Sequence, residues 1–224
     1  MKDLLRGIRL SLELLLGRRL SLFAGVDAVV IAAALLAVLL GSEGDPNDLY
    51  LSVFLIPSLL LGLPALSGLV AVERRAGCLD LALSAPSAER YFLRRVGAVL
   101  AVTVAQGWAV LLLGWLYEGF SFPLFAPLLQ VVVVSAFLGA VALFWAVRLK
   151  TAAGVWLASV LTLLVMGRWF FTSPIPERYA FGALVPGGEG SLPWLRSLAV
   201  LSFGAVLFFL YARRRLRRPE LMIS

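Results

Sequence analysis

The stretch from Leu124 to Val147 reads LFAPLLQVVVVSAFLGAVALFWAV. It contains no charged residue, and its most polar side chain is the amide of Gln130. A helix rises about 1.5 Å per residue, so a run of this length crosses a hydrocarbon core about 30 Å thick. A membrane barrel strand would alternate apolar and polar residues. Leu128–Ala136 does not alternate, and neither does Ile31–Leu40. The stretch therefore reads as a transmembrane helix, and the chain around it as all-α.

Working outward, five more apolar runs appear, at Leu20–Gly41, Tyr50–Val72, Val96–Tyr117, Thr151–Phe171 and Trp194–Ala212. With Leu124–Val147 they predict a six-span membrane domain over residues 20–224. The composition agrees. Of 224 residues, 61% are hydrophobic and 15% charged, with a mean hydropathy of +0.96. A soluble domain carries about 25% charge. Cys78 is the one cysteine, so no intrachain disulfide can form. There is no histidine, which removes His-based acid–base chemistry and protein His ligation of metal or haem.

The net charge of +7 and pI near 10.3 would suggest nucleic acid in a soluble protein. Here the basic residues follow topology. In a six-span arrangement one side receives Lys2, Arg6, Arg9, Arg18 and Arg19, then Arg74, Arg75, Arg90, Arg94 and Arg95, then Arg148 and Lys150. It also receives Arg213, Arg214, Arg215, Arg217 and Arg218. Only Arg168, Arg178 and Arg196 remain for the other side, with Glu43, Asp45, Asp48, Glu118, Glu177 and Glu189. The positive-inside rule then puts both termini in the cytoplasm of a multi-pass plasma (inner) membrane protein of bacteria or archaea. The C-terminal arginines read as a solvated, lipid-facing anchor, and no nucleic-acid partner is expected.

Residues 1–19 place Leu4, Leu5, Ile8, Leu12, Leu15 and Leu16 at helical spacing, with Lys2, Arg6, Arg9 and Glu13 mostly opposite. This predicts an interfacial amphipathic helix. A signal peptide fits less well: the charged region is long, and no small-residue cleavage site follows the apolar run.

Two connections are longer than turns. Residues 172–193 carry Pro174, Pro176, Pro186, Gly187, Gly188 and Pro193 yet include Tyr179, Phe181, Leu184 and Val185. They read either as a segment dipping back into the membrane, tolerated where it packs on protein, or as a surface loop. On the cytoplasmic side, residues 73–95 begin Glu73-Arg74-Arg75-Ala76-Gly77-Cys78-Leu79-Asp80-Leu81-Ala82-Leu83-Ser84-Ala85-Pro86. Leu79, Ala82 and Leu83 share one helical face, and Pro86 ends that short helix. Ser87 can cap the next, with Glu89 in its first turn, running through Tyr91 and Phe92 into the third span. On physics alone, this is either a rigid knob for another protein to grip or an ordinary basic loop.

The stretch resembles the signature of ABC type-2 exporter permeases: Glu-Arg-x-x-Gly-Thr/Ser-Leu-Glu-x-Leu-Leu-x-x-Pro, then a Tyr and a Gly-Lys at the start of the third span. Glu73, Arg74, Gly77, Leu79, Leu83, Pro86, Tyr91 and Arg95 match at the same spacing, and Asp80 stands conservatively for Glu. Cys78, Ala82 and Arg94 depart from the pattern. The layout of an N-terminal interfacial helix, six spans and a long segment before the last also resembles that family. The resemblance implies a transport subunit, not an enzyme. Two permease copies, identical or related, would form the pathway. Two copies of a separate ABC ATPase would grip the coupling helix through Glu73, Arg74, Gly77, Cys78, Leu79, Asp80, Leu83 and Pro86. ATP and Mg would sit on that partner, since this chain has no Gly-x-x-x-x-Gly-Lys-Ser/Thr loop. No cofactor, metal or catalytic residue is expected here.

Within the family, the chain length resembles the haem-exporter B subunit of cytochrome c maturation, and permeases moving drugs, lipids or glycans fit equally. A compact six-span substrate-binding component of a vitamin importer is a further alternative, although it would lack the coupling motif. An intramembrane enzyme would need a constellation that the spans do not supply. Inside the spans, Asp27 either pairs with Arg18 or Arg19 or lines the pathway. Gln106 and Gln130 read as interhelical hydrogen bonders or pathway residues. Arg168 either anchors at the interface or meets an anionic substrate.

Overall fold

The structure is a computed structural model. It describes residues 62–77, 88–117, 125–172 and 191–218, together with Leu10, Glu13, Gly25, Val26, Ala28, Val29, residues 31–33 and Leu36. Among the described residues five helices have defined bounds: α1 (Leu63–Arg75), α2 (Ala88–Tyr117), α3 (Phe125–Ala146), α4 (Ala152–Thr172) and α5 (Ser191–Leu216). The scattered positions between Leu10 and Leu36 are helical too, and no strand occurs among the described residues. The chain is all-α.

Among the described residues two helices are long and apolar enough to cross a membrane: Phe125–Ala146, with mean hydropathy 2.3, and Trp194–Leu216, with 1.9. Ala152–Met166 is a shorter apolar helix. The amphipathic reading of residues 1–19 lies outside the described residues except at Leu10 and Glu13, both helical. Residues 173–190 of the 172–193 connection also lie outside them.

Helix α3 is the hub, packing against each of the other four helices. Along α3 and α5, Gln130 meets Trp194, Phe137 meets Gly204, Phe144 meets Tyr211 and Val147 meets Arg215. The two helices therefore run parallel. Helix α2 runs against α3, with Leu100 beside Gly139 and Trp108 bonding the carbonyl of Leu128. It also runs against α1, with Thr103 beside Gly62 and Tyr91 beside Glu73. A turn at residues 147–151 then reverses the chain into α4. The Thr151 hydroxyl caps α4 by accepting the Gly154 N–H at 3.1 Å.

Small residues set these approaches. A Cβ on Gly139 would lie 2.9 Å from a Leu100 methyl, and one on Gly204 would lie 3.1 Å from the Phe137 ring. Buried side chains then form a continuous core down α3. One cluster joins Leu66, Leu69, Phe92, Val96, Leu143 and Ala212. The next joins Leu111, Val134, Phe137, Leu138 and Leu201. The outward faces stay apolar, with Phe125, Leu164, Val165 and Phe203 each more than half exposed.

The alternation of direction has one consequence for function. The end of α1, the start of α2, the end of α3, the start of α4 and the end of α5 all lie at the same end of the bundle. Arg74, Arg90, Arg94, Arg95, Arg148, Lys150 and the arginines of residues 213–218 gather there.

Candidate functional site

Helix α1 ends where a glycine lets it end. Gly77 has φ +67°, in the left-handed region, and its N–H donates to the Arg74 carbonyl at 3.2 Å. Ala76 donates to the Val72 carbonyl at 3.0 Å. This is an αL cap, in which a residue with a Cβ is strained. The glycine of the exporter-like motif thus has a local physical reason: it turns the chain sharply away from the last turn of α1.

That last turn carries Glu73, which is buried. Tyr91, on the first turns of α2, donates its hydroxyl to Glu73 Oε1 at 2.6 Å. Arg95, one helical turn further on, is also buried and places Nη1 2.5 Å from the same oxygen. This contact is an ion pair. The Arg95 guanidinium stacks 4.3 Å from the centre of the Tyr91 ring. One carboxylate therefore gathers a phenol and a guanidinium, which are themselves stacked. A charge buried this way is tolerated only when paired and hydrogen-bonded. The neighbouring Arg74 points elsewhere, donating to the Leu149 carbonyl at 3.3 Å, just past the end of α3.

The described residues on either side of positions 78–87 are therefore anchored to one another. Glu73, Arg74 and Gly77 stand before those positions, and Tyr91 and Arg95 after them. Cys78, Leu79, Asp80, Leu83 and Pro86 lie outside the described residues.

A second set of contacts ties α2 to α5. Glu89 Oε1 accepts a short hydrogen bond from Arg213 Nε, and Oε2 accepts one from Arg217 Nε at 2.9 Å. These bonds hold the Glu89 carboxyl below its ordinary range, Arg217 contributing most. Arg215 reaches the Val147 carbonyl at 3.4 Å. The reading of the C-terminal arginines as a solvated anchor is thereby narrowed, since Arg213, Arg215 and Arg217 hold the bundle together. The i, i+4 spacing of Arg213 and Arg217 was the available signal. Their shared partner lies more than a hundred positions away, outside the reach of local pattern.

Comparison with protein-family models, with curated proteins and with solved structures finds no match.

Of the polar residues inside the expected spans, Gln130 is fully buried and accepts the Trp194 indole N–H at 2.8 Å. It bridges α3 and α5. Gln106 is half-buried on α2. Asp27 lies outside the described residues, as does the side chain of Arg168, whose backbone is helical within α4.

Proposed function

We propose that the chain is the permease subunit of an ATP-driven ABC exporter, with residues 73–95 as the region that a separate ATPase grips. The observation that carries this reading is the meeting of buried Glu73 and Arg95 with part-buried Tyr91 in one cluster. These are three of the residues on which the family resemblance rests. A segment that transmits force needs rigid attachment at both ends, because slack would absorb the displacement. The ion pair and the phenolic hydrogen bond join the two ends to each other, and Arg74 joins them to the end of α3.

In this reading six spans cross the plasma membrane, with the basic end of the bundle and both termini facing the cytoplasm. The apolar outward faces of α3, α4 and α5 meet lipid. Two copies, or one copy and a related permease, enclose the pathway. ATP-driven closure of two ATPase subunits pushes the 78–87 segment. The push passes through the Glu73 cluster to α1 and α2, switching the pathway between inward- and outward-open states. The chemistry of nucleotide hydrolysis belongs to the partner.

The test is co-purification of ATP hydrolysis. The full-length chain, captured from the membranes of cells that make it, should carry vanadate-sensitive ATPase activity. Leu79→Asp should abolish that activity and leave the yield of folded permease unchanged. Arg196→Gln, at the opposite end of α5, should retain it. Capture without ATPase activity, or Leu79→Asp behaving as wild type, would overturn the reading.

A further inference from the structure

The arginines at the end of α5 divide between two jobs. Arg213 and Arg217, four residues apart, are spent on Glu89. Arg214 and Arg218, also four apart, face another way and have no side-chain partner among the described residues. With Arg215 and Tyr211 they line a surface pocket of about 220 Å³. This is far above the roughly 10–15 Å³ that a single water requires. Arg148, beyond the end of α3, places its guanidinium 5.4 Å from the centre of the Tyr211 ring and 5.1 Å from that of Phe144. Four guanidinium groups thus surround one tyrosine, and no described carboxylate neutralises them there. Planar guanidinium forks suit the oxygens of a phosphate group.

The surface that leads into this pocket is apolar. Phe203, Leu207, Leu210, Arg214 and Arg218 recur every three or four residues, so they share one face of α5. Phe203, Leu207 and Leu210 are exposed, Phe203 by 66%. An apolar stripe that ends in a cluster of arginines with no described carboxylate beside them matches an amphiphile: acyl chains along the stripe and an anionic head in the pocket. A free phosphate would leave the stripe unused.

We infer that Tyr211, Arg214, Arg215 and Arg218, with Arg148 beside them, form a binding site for the phosphate headgroup of an anionic phospholipid. The site is independent of any transported cargo and of the ATPase reading. It needs only that the outer face of α5 meets a bilayer. By holding Tyr211 and Arg215, a bound lipid would also brace the contacts between α5 and the end of α3.

The test is native mass spectrometry of the full-length protein in detergent, titrated with phosphatidylglycerol or with phosphatidylcholine. Each arginine near an anionic head contributes about fivefold in affinity, so the double variant Arg214→Gln/Arg218→Gln should bind phosphatidylglycerol roughly 25-fold more weakly. Its phosphatidylcholine binding should not change. The variant Arg90→Gln/Arg94→Gln removes two exposed charges from the same end of the bundle and should keep wild-type affinity. Equal loss in both variants would mean diffuse attraction and would overturn the site. Displacement of the lipid by millimolar inorganic phosphate, or by a short oligonucleotide, would also overturn it in favour of a small-anion or nucleic-acid site.

Discussion

Glu73, at the end of α1, and Arg95, about two turns into α2, pair inside the bundle with Oε1 and Nη1 2.5 Å apart, and both side chains are nearly inaccessible. The pair is the seam that closes the base of the 78–87 segment. Removing either charge leaves the other buried without compensation, which costs more than the intact pair contributes.

Glu73→Gln should therefore destabilise the purified protein by about 3–5 kcal/mol. Tyr91→Phe, which deletes one hydrogen bond to the carboxylate, should cost about 1.5–3 kcal/mol. The double replacement Glu73→Leu/Arg95→Met should recover most of the loss, because no lone charge remains. Denaturant unfolding in mixed micelles measures all three. A Glu73→Gln protein within experimental error of wild type would contradict the pairing.

Gly77 and Gly97 give opposite expectations for the same substitution. A Cβ at either position meets no atom within 4 Å, so sterics between residues play no part. At Gly77, with φ +67°, alanine should cost about 1–2 kcal/mol. At Gly97, inside α2, alanine should stabilise by about 0.5–1 kcal/mol. Thermal unfolding of the two variants in the same detergent should shift in opposite directions.

The Glu89 contacts make stability depend on pH. The folded-state carboxyl titrates below its ordinary value of 4.5, so the unfolded chain binds the proton more readily. The contribution is complete above pH 4.5 and is lost as pH falls through the lower, folded-state value. Glu89→Gln should lower the midpoint of thermal unfolding at pH 7, and the gap to wild type should close on acidification. A gap that widens toward low pH would reverse the sign and refute the assignment. High salt should narrow it at pH 7, since both arginines are substantially exposed.

Gln130→Leu removes the acceptor of the Trp194 indole N–H in the interior. Interhelical hydrogen bonds in membrane proteins contribute about 0.6–1.7 kcal/mol, and a loss of that size is expected. Trp194→Phe should lose a similar amount, and the two losses should not add. Unfolding of both single variants and the double variant forms the cycle that reads it.

Much of this was legible along the chain. The apolar run at Leu124–Val147 became Phe125–Ala146, and the expected helix through Tyr91 and Phe92 became Ala88–Tyr117 without a break. Gly139, paired with Ser135 at small-residue spacing, is where α2 and α3 approach closely. Gly204 does the same for α5 and gave no comparable signal, since no small residue at i±4 flags it. Thr151 was legible in principle as a hydroxyl just before an apolar run. The partners of Arg95, Arg213 and Arg217 were not, because their charges suit any basic membrane face.

The sequence by itself determined that the chain is helical, where its longest apolar helices run and which connections hold the basic residues. These properties depend on hydropathy over some twenty residues and on where charge falls between them. Only the tertiary structure decided which charges are spent on which partners. Glu89 and Arg213 stand 124 positions apart. They meet because α3 packs α1, α2 and α5 around itself with their charged ends together. Local pattern places a charge at a helix end, and the packing of helices chooses its neighbour.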